Sequence, residues 1–222
     1  RVTPAMQQHS PGIARQFVPD TREMLTRPEE LADPIGDAAH SPVPGLTHRY
    51  PDRAILHITQ TCDVYCRFCF RREVVGAAGP LPAKQLDAAL DYIAASPALR
   101  EIILTGGDPM TLSPRRLDAV LTRLDAIPHL DVIRLHSRVP VVAPDRIAAL
   151  APLLRRRAAV FVVIHTNHPD ELTPEARDAI RALADAGVAL LSQSVLLRGV
   201  NDDAAVLAAL FRGLTALRVT PY

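Results

Sequence analysis

Apolar residues recur along this chain at two periods, and the two take turns. Residues 53–59, "RAILHIT", form a short apolar, β-branched run, the pattern of a buried strand. "PAKQLDAALDYIAA" (82–95) instead spaces its apolar positions by three and four between flanking prolines, which predicts a helix. The alternation then continues. Strands are expected at "EIILT" (101–105), "DVIRLHS" (131–137), "AVFVVIHT" (159–166), "VALLSQSV" (188–195) and "ALRVT" (216–220). Helices are expected at "SPRRLDAVLTRLDA" (113–126), "APDRIAALAPLL" (143–154), "TPEARDAIRALADAG" (173–187) and "NDDAAVLAALFRGL" (201–214). Ser113 and Thr173 stand as N-caps, Pro114 in the first turn and Gly187 as a stop. Six strands alternating with five helices make repeated βα units and a parallel sheet.

Residues 1–50 differ. They are rich in Pro, Asp and His, with one short helical stretch around "DTREMLTRPEEL", and read as a helical and loop-rich lead-in to a unit spanning 51–222. In a parallel α/β architecture, functional groups gather on the loops after the carboxyl ends of strands. The polar clusters lie there: the cysteines, "TGGDP", "HSRVP", "HTNHP" and "QSVLLRGVND". A doubly wound sheet fits the alternation as well, but clusters after nearly every strand favour a partial parallel barrel of the (β/α)6 type.

Composition narrows the function. A chain of 222 residues with 48% apolar content can support a large core, about seventy per cent of its unfolded surface being buried on folding. A net charge of +1, 4% aromatics and no Trp argue against a nucleic-acid surface or base-stacking platform. No apolar run reaches membrane-spanning length and no signal peptide opens the chain, so a cytoplasmic protein is expected. The start at Arg1 and the stop straight after "LRVTPY" suggest an excerpt of a longer polypeptide.

All three cysteines, Cys62, Cys66 and Cys69, fall in "TCDVYCRFCFRR" (61–72), which follows the first expected strand. With no partners elsewhere they do not make a disulfide framework. A structural zinc site wants four protein ligands, and the nearest fourth, His57, lies inside the strand. A redox pair would leave one thiol spare. Three thiolates on a four-iron cluster leave one iron open to a non-protein ligand, so the missing fourth ligand becomes the functional feature.

C-x3-C-x2-C after a first barrel strand resembles the radical S-adenosylmethionine (SAM) superfamily. From about Gly45 to Tyr222 the chain resembles one branch, the lysine 2,3-aminomutases, including those acting on the lysine of elongation factor P. The resemblance rests on "GLTHRYPDR", "CDVYCRFCFRR", "LTGGDP", "HSRVPVV", "HTNHPDELT", "QSVLLRGVND" and "RVTPY". It implies an isomerase that cleaves SAM at a [4Fe–4S] cluster on Cys62, Cys66 and Cys69. The resulting radical takes hydrogen from an amino acid held by pyridoxal 5′-phosphate (PLP), and nitrogen moves from Cα to Cβ. By the same resemblance Gly106, Gly107, Asp108, Arg138, His165 and Gln193 contact SAM, Arg49 and Arg53 hold the PLP phosphate, and Arg71 pairs with the substrate carboxylate. Without the resemblance, Arg49 and Arg53 read as surface arginines; Arg72, His168-Pro169 and Asn201-Asp202 read as structural or capping.

The resemblance further implies an electron donor such as flavodoxin or ferredoxin, a small amino-acid substrate or a protein lysine, and a homo-oligomer as an open expectation. It places the PLP lysine downstream of Tyr222, since Lys84, the one lysine here, lies in the first helix after the cysteines. Phe70 stands where lysine aminomutases carry threonine, which leaves lysine, glutamate and arginine as substrate alternatives. An iron–sulfur electron carrier or sensor is a different class, and it would have no use for the "GGDP" and "QSVLLRGVND" loops.

Overall fold

The computed structural model describes residues 3, 5–8 and 10–222. Seven strands form one sheet in sequential order: β1 (Leu46–Tyr50), β2 (Arg53–Thr59), β3 (Glu101–Gly106), β4 (Val132–Ser137), β5 (Ala159–His165), β6 (Ala189–Gln193) and β7 (Thr220–Pro221). β2 to β7 are parallel, and β1 joins antiparallel through Leu46↔Leu56 and Thr47↔Ile55. The sheet therefore begins at residue 46, inside the segment read as lead-in.

Sequential order decides between the two architectures. A doubly wound sheet reverses its order partway and covers both faces with helices. Here every crossover steps the same way, and right-handed connections then put all the helices on one face. The strands show the result. In β2, Ala54, Leu56 and Ile58 are buried while Arg53, Ile55 and His57 are half-buried; β4 alternates likewise through Ile133 and Leu135 against Arg134 and His136. One face is core and the other lines a lumen. Among the described residues β1 and β7 do not pair, so the barrel stays partial.

The helices are α1 (Pro11–Phe17), α2 (Ala83–Ala94), α3 (Pro114–Asp125), α4 (Val139–Val142), α5 (Ile147–Leu150), α6 (Pro174–Asp185) and α7 (Ala204–Thr215). α3 starts where Ser113 accepts from the Arg116 N–H, and it buries Leu117, Val120, Leu121 and Leu124. Each such side chain contributes about 2 kcal/mol of transfer free energy. Thr173 caps α6 in the same way, and Gly187 follows its end at φ +83°. Asp203 caps α7, accepting from Ala205 and Val206, while Asn201 and Asp202 brace the preceding loop.

Three expectations change. The helix expected at 143–154 is broken into 3-10 turns around α5, because Pro152 can neither donate nor clear the carbonyl four residues back. The 20–31 stretch is a 3-10 turn at Thr21–Met24, closed by reciprocal Asp20 and Glu23 caps. β7 covers two residues rather than five, since Arg218 at φ +62° bends the chain beforehand. No helix among the described residues is long and apolar enough to cross a membrane.

Candidate functional site

β2 delivers the chain to the carboxyl end of the sheet, where residues 60–79 arch over the lumen. The arch is rooted by Gln60 N–H to the Gly79 carbonyl at 3.0 Å and Gly76 N–H to the Gln60 carbonyl at 2.7 Å. The turn after β3 braces its other side. Gly107 N–H donates to the Thr59 carbonyl at 2.6 Å and Asp108 N–H to the Thr61 carbonyl at 2.9 Å. Gly106 sits at φ +115°, and a Cβ there would overlap the Thr59 carbonyl, as one on Gly107 would overlap Thr61's. Both glycines are used for close approach of backbone to backbone.

Cys62, Cys66 and Cys69 are free thiols, half-buried on this arch, with the Cys69 N–H on the Cys66 carbonyl at 3.0 Å. Burial pushes the Cys62 and Cys66 thiols up, and each feels its cysteine neighbours. Arg138 counteracts this at Cys66, its Nη1 donating to Sγ at 3.0 Å. Among the described residues, no three His, Cys, Asp or Glu converge on a point fit for a single metal ion. A four-iron cluster makes no such demand, because each thiolate binds a different iron. Three half-buried free thiols close together on one arch, with no fourth ligand beside them among the described residues, suit that group.

Asp108 is buried, and its carboxylate is fully engaged. Oδ1 accepts from Ser137 Oγ at 2.7 Å and Met110 N–H at 3.0 Å, and Oδ2 from the N–H groups of Arg138 at 2.6 Å and Val139 at 3.2 Å. Burial pushes this carboxyl up while the four donors favour the ionised form. Asp108 thus joins the turn after β3 to the start of α4, and it does not point a free oxygen at a ligand. Arg138, expected at the SAM site, is enclosed too. Its Nη2 donates to Glu171 Oε2 and Gln16 Oε1, both at 2.5 Å, and Phe17 and Phe68 cover its faces, with centroids at 4.6 and 5.3 Å. Burial opposes the Glu171 charge, but the Arg138 guanidinium and the hydrogen bonds from Asn167 and Gln16 together outweigh it and hold the carboxyl below its usual range.

The lumen mouth brings His165 and Gln193 together, paired across β5 and β6. The His165 ring lies 5.4 Å from that of Phe68, directly under the cysteine arch. Gln193 Oε1 faces His136 Nδ1 at 3.0 Å. His165 Nε2, His136 Nε2 and Thr166 Oγ1 are buried with no protein partner, which suits a polar ligand between the arch and the strand ends. Arg71 turns inward from the arch: burial depresses His57 and His136, and the Arg71 guanidinium adds to this at both, with Arg134 at His136. Arg71 Nη2 bonds Asp37 Oδ2 at 2.9 Å, and Arg49 Nη2 approaches Asp37 Oδ1 at 3.7 Å. Asp37 so bridges two of the expected anion-binding arginines.

Arg53 lies elsewhere. It opens β2, bonded to Asp52 and near Glu101, about 20 Å of strand from the arch. Arg49 also bonds the Ile35 carbonyl. The two arginines flank the β1–β2 turn, but they part there: Arg49 shares Asp37 with Arg71 of the arch, while Arg53 stays at the opposite end of β2. Sequence reasoning missed Gln16, Phe17, Asp37 and Glu171. Their roles depend on contacts across 30 to 150 residues of chain, and no local motif announces them, although Glu171 lies inside "HTNHPDELT".

Two half-buried histidines, His57 and His165, make stability pH-dependent. Burial, with Arg71 for His57 and Arg138 for His165, lowers them to about 4 and about 3 from an unfolded value near 6.5. Between those values the unfolded chain binds protons that the folded chain refuses. Stability is therefore complete above pH 6.5 and falls as pH drops through 5 towards 4, by on the order of 3 kcal/mol per histidine. Urea unfolding at pH 7.5, 6 and 5 should show a steadily falling midpoint, and His57→Asn should flatten part of that fall.

Residues 56–211 match the Radical SAM superfamily. Over 212 residues the chain is 44% identical to an L-lysine 2,3-aminomutase of Fusobacterium nucleatum, covering 95% of this chain and 50% of that protein. It is 42% identical to the Escherichia coli enzyme of the same name, covering 95% and 62%. A glutamate 2,3-aminomutase of Clostridioides difficile is 38% identical over 207 residues, 92% of this chain and 49% of that protein. The chain thus spans about half the length of most of these curated relatives. Since the superfamily match begins in β2, takes in the cysteine arch and ends in α7, this chain belongs to the radical SAM superfamily.

Proposed function

We propose that the whole protein is a radical SAM, PLP-dependent 2,3-aminomutase that moves the amino group of an amino acid, L-lysine first, from Cα to Cβ. The observation that carries this beyond the superfamily is Arg71, which leaves the cysteine arch two residues after Cys69 and turns into the lumen with 15% of its side chain exposed. A planar, permanently charged fork there suits a substrate α-carboxylate in bidentate pairing. Bound at this site, the [4Fe–4S] cluster and SAM supply hydrogen abstraction, and PLP supplies the frame on which nitrogen migrates.

The chain's own residues do the holding. Cys62, Cys66 and Cys69 hold three irons. Gly106 and Gly107 keep the turn close to the arch, Asp108 fixes that turn against α4, and His165 and Gln193 would face SAM at the mouth. Neutral histidines suit this, since they offer a ring nitrogen without repelling the cationic sulfonium. Arg49 and Arg53 are proposed for the PLP phosphate, which requires both to leave their present carboxylate partners. Residues 51–222 are proposed as the catalytic unit and 1–50 as its lead-in, whose last five residues add β1 to the sheet. We further propose a cytoplasmic enzyme with a flavodoxin or ferredoxin donor, acting on free lysine or the elongation factor P lysine, in a homo-oligomer. Glutamate is the second substrate reading, favoured by the similarity to a glutamate 2,3-aminomutase.

Arg71→Lys in the whole enzyme tests the reading. The variant should retain its irons and still cleave SAM, while turnover of lysine to its β-amino isomer falls at least about tenfold, since an ammonium cannot reproduce the fork. Unchanged turnover would remove Arg71 from the substrate site.

A further inference from the structure

Arg138 is held more firmly than the neutralisation of Glu171 requires. One edge of its guanidinium meets Glu171 Oε2 and Gln16 Oε1, both at 2.5 Å from Nη2. Nη1 reaches a cysteine sulfur, Cys66 Sγ, at 3.0 Å. Its backbone N–H is fixed on Asp108 at 2.6 Å, and two aromatic rings cover its faces. Glu171 is fixed in turn by the N–H groups of Asn167 at 2.8 Å and His168 at 3.0 Å. A guanidinium clamped on so many sides cannot swing away, so the direction of its N–H to sulfur is set by the fold.

Hydrogen bonds to cluster sulfurs are among the factors that set reduction potential. They draw electron density from the thiolate and favour the reduced cluster, which carries one more negative charge. Arg138 and Glu171 cancel in net charge, so the influence is the local hydrogen bond and not a distant field.

We propose that Arg138 is a positioning residue that fixes the Cys66 sulfur and raises the reduction potential of the cluster held by Cys62, Cys66 and Cys69, with Gln16 and Phe17 of α1 as part of the clamp. This rests on the cluster assignment above. It gives the lead-in a chemical purpose, because removing α1 removes an acceptor and an aromatic wall from Arg138.

The test is an EPR-monitored redox titration of the whole protein, reconstituted anaerobically with iron and sulfide, without SAM, using a low-potential one-electron chemical reductant and mediators. Arg138→Met with Glu171→Met removes both charges together and leaves none buried alone. At the wild-type midpoint, its ratio of reduced to oxidised cluster should be at least about tenfold lower, a shift of about 59 mV for one electron. Gln16→Leu, which spares the ion pair, should shift the same way by less. Should the double variant not fold, Arg138→Lys serves instead: an ammonium kept by Glu171 cannot also hold the sulfur, and the midpoint falls again. A wild-type midpoint in a cluster-bearing double variant, or in the lysine variant, overturns the proposal and leaves the cluster assignment standing. Wild-type protein that forms no four-iron cluster overturns both.

Discussion

Replacing any one of Cys62, Cys66 and Cys69 with alanine should abolish reductive cleavage of SAM while leaving the fold in place. Two thiolates cannot hold a cluster that offers a single open iron, so activity should fall below detection and not merely decline. Apart from Cys66, which accepts a hydrogen bond from Arg138, the fold has little stake in these side chains. The arch is rooted by backbone bonds at Gln60, Gly76, Gly107 and Asp108, and none of them involves a thiol. Only Cys66 packs against the core, and it is partly buried there. Thermal unfolding of the iron-free variants should therefore stay within a few degrees of wild type. Iron content, SAM cleavage and unfolding temperature measured together separate loss of a ligand from loss of the fold. A single-cysteine variant that still yields 5′-deoxyadenosine would remove that cysteine from the ligand set.

Glu171→Ala should be the most damaging single change outside the cysteines. The Arg138 and Glu171 side chains are 6% and 1% exposed, and they meet at 2.5 Å. Deleting the carboxylate leaves a guanidinium buried without its counter-charge, which costs about 3–5 kcal/mol. That is a third or more of the stability of a typical domain. The damage should also spread locally, because Glu171 Oε1 accepts the Asn167 and His168 N–H groups that shape the loop after β5. Adding Arg138→Met to a Glu171→Met change should recover most of the loss, since a buried pair replaced as a unit by apolar side chains is often neutral. Urea midpoints for the single and double variants check this. A single variant within 1 kcal/mol of wild type would mean that solvent reaches Arg138.

The parts of this molecule legible in the sequence are those written in local pattern. β2 runs from Arg53 to Thr59 as its β-branched run implied, and α3 and α6 start at Ser113 and Thr173 because capping is a three-residue interaction. The alternation implied a parallel sheet, the polar clusters after its strands favoured a partial barrel, and the strand order and one-sided burial bear that out. What stayed hidden was non-local. β1 was missed because "LTHRY" mixes polar and apolar residues, and it is a strand only because β2 offers it an edge. The 143–154 segment is periodic enough for one helix, yet Pro152 breaks it into short turns. At the site, spacing singled out the cysteines, and the family resemblance pointed to His165 and Gln193, which lie at neighbouring strand ends. The arginines show the limit most clearly. Arg138, Arg71 and Arg53 are alike on paper, yet the fold gives one to a sulfur and a buried carboxylate, one to the lumen and one to the opposite end of β2.

The proposed aminomutase directs a SAM-derived radical to the β-carbon of an amino acid. Whole protein, reconstituted anaerobically and supplied with SAM, PLP and a low-potential reductant, should be incubated with L-lysine deuterated at C3, and the 5′-deoxyadenosine examined by mass spectrometry. The account predicts deuterium in the deoxyadenosine and the appearance of the β-amino isomer of lysine. Deoxyadenosine without deuterium from lysine, glutamate or arginine labelled in the same position would contradict it.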